Sequence, residues 1–357
     1  MRSLVADLRR GVNLVIGLPR WGPEGLAQAV AHQLRDDDLL SWRPLSVEGL
    51  LQEEPLRLLA RRYAPDVPER RLCDPSDLVD SQAFSGGLIW VTGLEDSAWA
   101  AWKALLEGYA SAVRRRAAED RGLLCLVVSG MSRSAFPKED VALSVRLWQD
   151  AVTELDMLAW LHYLMGRGGR NGNAMRRRLQ LRHALELVAF DSRLAWDASS
   201  KDLEVLAVPA AWLAGVAAAR GWTSNTDVCW EEGTCDTMEG RLIQHPALVA
   251  MADRAEANLG RLLWRAQVGV LFPFLEEARS QYLTTYQNLL RVPHDTGHGS
   301  VILERWELEI GHIHHQLRRR IEERELHRLR LLRDVRNALA HHEPLAPDLL
   351  QDLVGLG

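Results

Sequence analysis

Near its C-terminus the chain reads LRDVRNALAHHEPLAPDLL over residues 332–350. The leucines and the valine recur at helical spacing and suit ordinary packing, whereas Arg336, Asn337 and His341 are chemically equipped. Asn337 and His341 lie one helical turn apart, so the amide can orient the imidazole, and Arg333 lies one turn before Asn337. Pro344 ends the helix soon after His342, which leaves both histidines at a helix C-terminus, where the dipole favours cationic side chains. Metal-free cleavage of RNA needs a base for the 2′-OH proton and an acid for the leaving 5′-oxygen. It also needs a fixed cation for the charge that builds on phosphorus. An imidazole fills either proton role near neutral pH, and the planar fork of arginine matches phosphate oxygens. One histidine per chain is sparse for two proton transfers, so the chemistry points to two copies of the helix facing each other in a dimer. The same three residues also suit C-capping and interface hydrogen bonds in a bundle without activity.

A second chemistry is hinted at near the N-terminus, where VNLVIGLPRWGPEGLAQAVAHQL (12–34) has the strand–loop–helix order of a phosphate-binding loop. Gly17 and Gly22 occupy both glycine positions of GxxxxGK[ST], but Pro23 stands at the lysine position and Glu24 at the hydroxyl position. Proline offers neither charge nor N–H, and a carboxylate facing a triphosphate repels it. The segment GLIWVTGLED (87–96) reads as a buried strand with an acidic end at Glu95 and Asp96. A Gly/Pro loop of some other α/β domain remains the plain alternative for residues 17–25.

These motifs carry two resemblances. The order strand, Gly17, Gly22, helix, followed by GLIWVTGLED, resembles the two nucleotide motifs of signal-transduction (STAND-type) and AAA-type ATPases over roughly residues 10–130, with the diagnostic lysine, hydroxyl and aspartate replaced. The resemblance implies a degenerate, P-loop NTPase-like domain that senses or docks: no cofactor is expected beyond ATP bound without hydrolysis, near Gly17, Gly22, Glu95 and Asp96. The Arg-Asn-x-x-x-His motif, and the phrase VRNALAHHEPL in particular, resembles the HEPN superfamily, especially its abortive-infection branch, over about residues 245–350. That resemblance implies a metal-independent endoribonuclease working as a homodimer in a prokaryotic antiphage or toxin-type system. Arg336 would bind phosphate and stabilise charge, Asn337 would position, and His341 would act as general acid/base. Its partners would be RNA, a second copy of the C-terminal bundle and other proteins of a defence operon. The alternative is a non-enzymatic adaptor of a multi-protein defence complex with an inactive bundle.

Other clusters compete for attention. GHIHHQL (311–317) sets His312 and His315 three apart on one helical face, and HDTGHG holds His294 and His298. No HExxH pattern or converging carboxylate accompanies them, so no metal site is expected. RRRIEERELHRLRLLR (318–333) interleaves acid and base at helical spacing, which reads as a solvated, ion-paired face or as an arginine stripe that guides RNA. Cys73, Cys125, Cys229 and Cys235 are scattered without a CxxC pair, and reduced thiols are expected. Trp21, in the degenerate loop, is a candidate contact point.

The elements that must carry these residues follow from periodicity. VNLVIG (12–17), GLIWVTGLED and LLCLVVSG (123–130) are continuous apolar runs separated by helical patterns, which indicates a mostly parallel sheet covered on both faces. From 136 to 240 the pattern reads as helical, starting with 140–165, with an exposed Arg/Gly/Asn loop at 166–178 and a turn-rich linker at 222–240. Residues 245–290 read as two or three amphipathic helices broken or kinked at Pro273, then come a loop (291–300) and two more helices. The expected fold is therefore an α/β domain with a parallel sheet (1–135), an all-α, lid-like middle region with its linker (136–240) and a C-terminal helical bundle (241–357). A length of 357 residues suits two or three such domains, and 47% hydrophobic with 25% charged residues suits a globular chain. A net charge of −5 excludes coating of nucleic acid by bulk charge, while a local arginine patch stays open. No apolar run reaches the ~18–20 residues that span a bilayer, and no secretory h-region opens the chain, so a cytoplasmic protein without membrane partners is expected.

Overall fold

The computed structural model describes residues 2–35, 40–50, 53–166, 173–295 and 301–356. The chain divides into two compact units: Met1–Val152 with Asp227–Ile243, and Thr153–Thr226 with Gln244–Gly357. The stretch 136–240 is thus shared between both. Parts of the Arg/Gly/Asn loop (167–172) and of the loop after His294 (296–300, with His298) lie outside the described residues.

The first unit is built on five parallel strands, β1 (Asn13–Leu18), β2 (Ser41–Ser46), β3 (Gly87–Leu94), β4 (Leu123–Ser129) and β5 (Leu143–Leu147), in the order β2-β3-β4-β1-β5. β1 is internal, with Val15 opposite Leu126 on one side and Val145 on the other, and all six of its residues are buried. Its side chains alternate between two cores, as the pleat requires. Val15, Ile89, Leu124 and Leu126 pack under the helices Pro55–Tyr63 and Asp96–Val113. Leu14, Ile16, Leu88 and Trp90 face the helices Arg2–Arg9 and Leu26–Gln33. Asn13 pins the strand starts: its buried amide donates to Ala142 O at 3.0 Å and accepts from Leu124 N–H at 2.9 Å.

The edges differ from the sequence expectation. SWRPLS forms edge strand β2 although Pro44 lacks an N–H, a position where proline is tolerated. The run 140–165 is not one helical stretch, because β5 occupies Leu143–Leu147 and helix starts only at Glu154. Val141, Leu143, Val145 and Leu147 recur every second residue, which is strand period. The turn-rich 222–240 is not a bare linker either. Two short strands, Cys235–Met238 and Arg241–Gln244, pair in a separate two-stranded sheet within the first unit.

The second unit is dominated by helices. Its longest, Ala255–Thr285, runs through Pro273 unbroken. An internal proline costs roughly 3 kcal/mol, and here one face of the helix, including Leu263, Leu271, Leu275 and Tyr282, is buried along its length. That face packs with Ile310, Ile313 and Leu317 of helix Ile310–Leu317, with Leu329, Leu332, Val335 and Leu339 of helix Glu323–Ala340, and with Leu350 and Leu353 of helix Pro347–Gly355. Among the described residues, no helix is long and apolar enough to cross a membrane.

Candidate functional site

Helix Glu323–Ala340 buries Leu326, Leu329, Leu332, Val335 and Leu339, which leaves the residues between them for solvent or for neighbours. Arg336 is half-buried, Asn337 is exposed, and His341 is exposed as the C-cap. The chain then turns by a Schellman motif, with His342 N–H donating to Leu339 O at 3.2 Å and Glu343 N–H to Ala338 O at 3.0 Å. His342 takes the left-handed position of this motif, at φ 62°. Glycine is usual there, and histidine is among the few other residues enriched in that region.

The long helix fixes this turn from both sides. Trp264 Nε1 donates to Leu339 O at 2.8 Å, and its ring lies 4.7 Å from that of His342. One turn further on, the buried Gln267 accepts from Leu345 N–H at 2.7 Å and its amide donates to His183 Nε2 at 3.2 Å. His183 closes the chain by donating from Nδ1 to Leu179 O at 2.7 Å. Burial pushes the His183 pKa down to about 4, so the ring is neutral and this tautomer satisfies both of its nitrogens. His341 and His342 therefore sit between two anchored backbone groups, Leu339 O and Leu345 N–H.

Arg336 has a different set of neighbours. Its guanidinium pairs with Glu309, the N-cap of helix Ile310–Leu317. Glu309 also forms a capping box with His312, in which Glu309 N–H donates to His312 Nδ1 at 3.2 Å. Accepting at Nδ1 puts the imidazole proton on Nε2. Burial, then the charges of His294 and Arg336, hold His312 below the usual histidine range, against the pull of Glu309. The His294 ring, from the short pairing of His294–Asp295 with Val301–Ile302, lies 5.4 Å from that of His312 and 6.3 Å from that of His315.

The structure thus places Arg336, Asn337 and His341 on one helix end without joining them. Five residues turn about 140° around a helix, and among the described residues no hydrogen bond or ion pair links these three side chains. Nor does the Asn337 amide hold the His341 ring. Glu309, His312, Trp264 and Gln267 are the partners that sequence reasoning did not connect to the motif. His312 was visible only as one of a histidine run. Among the described residues, no group of three or more His, Cys, Asp or Glu side chains is arranged to hold a metal ion.

The arginine-rich stretch 318–333 makes few ion pairs among the described residues: Arg333 pairs with Asp334 at 2.7 Å, while Arg320 donates to Leu289 O at 2.8 Å. Arg319, Arg320 and Arg328 line a groove of about 830 Å³ with Tyr282 and Tyr286, whose rings stack at 5.7 Å, together with Glu322 and Glu325. Arg328 Nε is buried there without a hydrogen-bond partner.

In the first unit, Gly17 lies within β1, where a Cβ would come within 2.8 Å of Leu147 and Phe136 side chains. Close packing therefore accounts for this glycine, while Gly22 closes a turn through its N–H to Pro19 O at 2.9 Å. The loop is covered by the chain's own turn: Arg20 N–H donates to Glu231 O at 2.8 Å, Arg20 pairs with Glu232 at 3.2 Å, and Gly233 lies against Pro19 and Trp21. Glu95 N-caps helix Asp96–Val113 and Asp96 lies in its first turn, both exposed, where a helix dipole favours carboxylates.

One further polar cluster lies buried in the second unit. Asp191 pairs with Arg220 at 2.5 Å and accepts from His245 Nε2 at 3.0 Å, while His245 Nδ1 accepts from Ala247 N–H at 3.1 Å. Burial alone would raise the Asp191 pKa, but His245 and Arg220 outweigh it and hold the carboxyl well below its usual range. Burial holds His245 down as well. Asp191, Arg220 and His245 satisfy one another here, which suits a structural tie. No protein-family model matches the chain, and no curated protein or solved structure matches it.

Proposed function

We propose that the chain is a metal-independent endoribonuclease of HEPN-like type, cutting RNA by attack of a 2′-OH and leaving a 2′,3′-cyclic phosphate. The observation that carries this reading is the exposed end of helix Glu323–Ala340. His341 is open to solvent on a turn held rigid by Trp264 and Gln267, and Arg336 stands one and a half turns earlier. A proton-transfer group has to be reachable by substrate and carried on a firm support, and His341 is exposed on a turn whose backbone is anchored at Leu339 and Leu345. The groove with Arg319, Arg320, Arg328 and the half-buried Tyr286 supports a single strand as substrate, since these arginines have no ion-pair partner among the described residues and suit phosphates, while an aromatic ring suits a base. In this reading the bundle works as a homodimer, because each chain brings one motif helix. The N-terminal unit is a sensing or docking platform in a prokaryotic defence system. Its degenerate loop is engaged by Glu231 and Glu232, which supports a role other than nucleotide hydrolysis.

The test is incubation of the purified protein with single-stranded RNA in EDTA, with mass spectrometry of the products. Cyclic phosphate termini are expected, together with a loss of 10²–10⁴ in rate for His341→Ala and for Arg336→Ala. Intact RNA under all conditions would sink the proposal. The adaptor alternative rests on the Arg336–Glu309 pair, since a bundle with no RNA to bind would keep its arginine occupied. It predicts that His341→Ala leaves defence in cells intact.

A further inference from the structure

We infer that Arg336, His312 and His294, at the N-terminal end of helix Ile310–Leu317, form the binding site for one phosphodiester of an RNA strand, and that the Glu309 carboxylate occupies the anion's position until RNA displaces it. The inference rests on the ribonuclease reading for its ligand but not for its geometry. Three elements bring hydrogen-bond donors together here. The motif helix brings a guanidinium, the first turn of helix Ile310–Leu317 brings His312 with the positive end of its dipole, and the His294–Asp295 segment brings a second imidazole. A guanidinium beside a helix N-terminus favours an anion, and Glu309 supplies one from within the chain.

The hydrogen-bond pattern says which atoms would meet the phosphate. His312 Nδ1 is engaged by Glu309 N–H at 3.2 Å, so the neutral ring carries its proton on Nε2, which is a donor. A neutral imidazole fixed in this way stabilises negative charge by donating a hydrogen bond rather than a proton. The guanidinium fork now holding a carboxylate would hold two phosphate oxygens by the same geometry. The Arg336–Glu309 pair is half-exposed, and exposed pairs of this kind are weak. Breaking the ion pair is therefore inexpensive, and a polyanionic strand offsets the lost cap with the contacts of the arginine groove.

The experiment measures binding of a fluorescent single-stranded oligoribonucleotide, 2′-O-methylated so that it cannot be cut, to the full-length protein over a range of salt. Glu309→Gln keeps a capping acceptor but removes the competing charge, and is expected to bind about 5-fold tighter or better. His312→Asn keeps an acceptor for Glu309 N–H but loses Nε2–H, and is expected to bind about 5- to 10-fold weaker. Arg336→Ala is expected to weaken binding at least as much and to lower the salt slope by about one. The tightening is the decisive result, since a misfolded variant would not produce it. If Glu309→Gln binds no tighter and His312→Asn no weaker than wild type, the inference is overturned. The same holds if neither wild type nor Glu309→Gln binds. Cleavage of unmodified RNA by the wild type alongside that failure would leave the ribonuclease reading standing. The expected order of affinities without any cleavage would keep the site and remove the ribonuclease.

Discussion

His342 holds a left-handed backbone position beside His341, and the side chain there decides how firmly the motif helix ends. A left-handed L-residue costs roughly 1–2 kcal/mol, with glycine exempt and β-branched residues worst placed. His342→Gly removes that strain but loses the ring contact with Trp264, so its unfolding free energy is expected to stay within about 1 kcal/mol of wild type. His342→Val is expected to lose roughly 1–2 kcal/mol relative to the glycine variant, because the Schellman turn can no longer form without strain. Urea titration of both variants checks this, and a valine variant as stable as the glycine one would show that the turn is not held as described. At this scale the sequence was informative about residue type and silent about partners. Arg336, Asn337 and His341 stand out by spacing. Glu309 and His312 join Arg336 only through helix packing, and no local pattern encodes that.

The elements around the motif are held by a buried polar chain that can be cut at one point. Gln267 bridges His183 of helix Ala174–Val188 and Leu345 N–H after the motif helix. Gln267→Leu keeps the volume but orphans the His183 Nε2 acceptor and the Leu345 donor. A cost of roughly 2–6 kcal/mol is expected, from about 1–3 kcal/mol for each of the two buried groups left unpaired. Denaturant unfolding measures the loss, and faster hydrogen exchange at Leu345 would locate it; unchanged exchange there would remove Gln267 from the support of the His341 turn. Element types were legible where one period dominated. The buried runs of β1, β3 and β4 could only be covered strands, and the helical bundle followed from 3.6-residue spacing. β5 was hidden because Val141, Leu143, Val145 and Leu147 precede a strongly helical segment with no proline or glycine between them. β2 was hidden by Pro44, which counts against a strand unless the strand is known to be at an edge. Pro273 argued for a break that tertiary burial of the long helix overrides.

Across the whole molecule, the chain leaves the helical unit after Thr226, adds its strand pair to the α/β unit and returns at Gln244. Arg220 and His245, just before and just after this excursion, both bind Asp191, so one carboxylate ties the two ends together. Asp191→Asn keeps the cap bonds to Arg193 and Leu194 N–H at 2.9 and 3.0 Å but removes the carboxylate charge that pairs with the buried Arg220. A loss of about 3–5 kcal/mol is expected in the helical unit. The two units should also answer pH in opposite senses. In the helical unit, His183 and His245 are buried with lowered pKa values, so the unfolded chain binds more protons. Stability falls as pH drops below the ordinary 6.5, through the value of about 4 for His183, where the loss is on the order of 3 kcal/mol. Asp191, also lowered, adds to the loss below 3.8. In the α/β unit, burial and the nearby Asp150 raise the pKa of Asp236 to about 6, against hydrogen bonds from Asp150 and Thr237 N–H. A raised carboxyl stabilises the fold most below 3.8 and loses that contribution as pH rises through about 6. Hydrogen exchange corrected for intrinsic rates, compared at pH 7 and pH 5, should therefore show protection falling in the helical unit while the strand pair at 235–244 gains. Asp236→Asn should abolish the gain without touching the fall. Protection that moved the same way in both units would mean that Asp236 is not the group the α/β unit titrates.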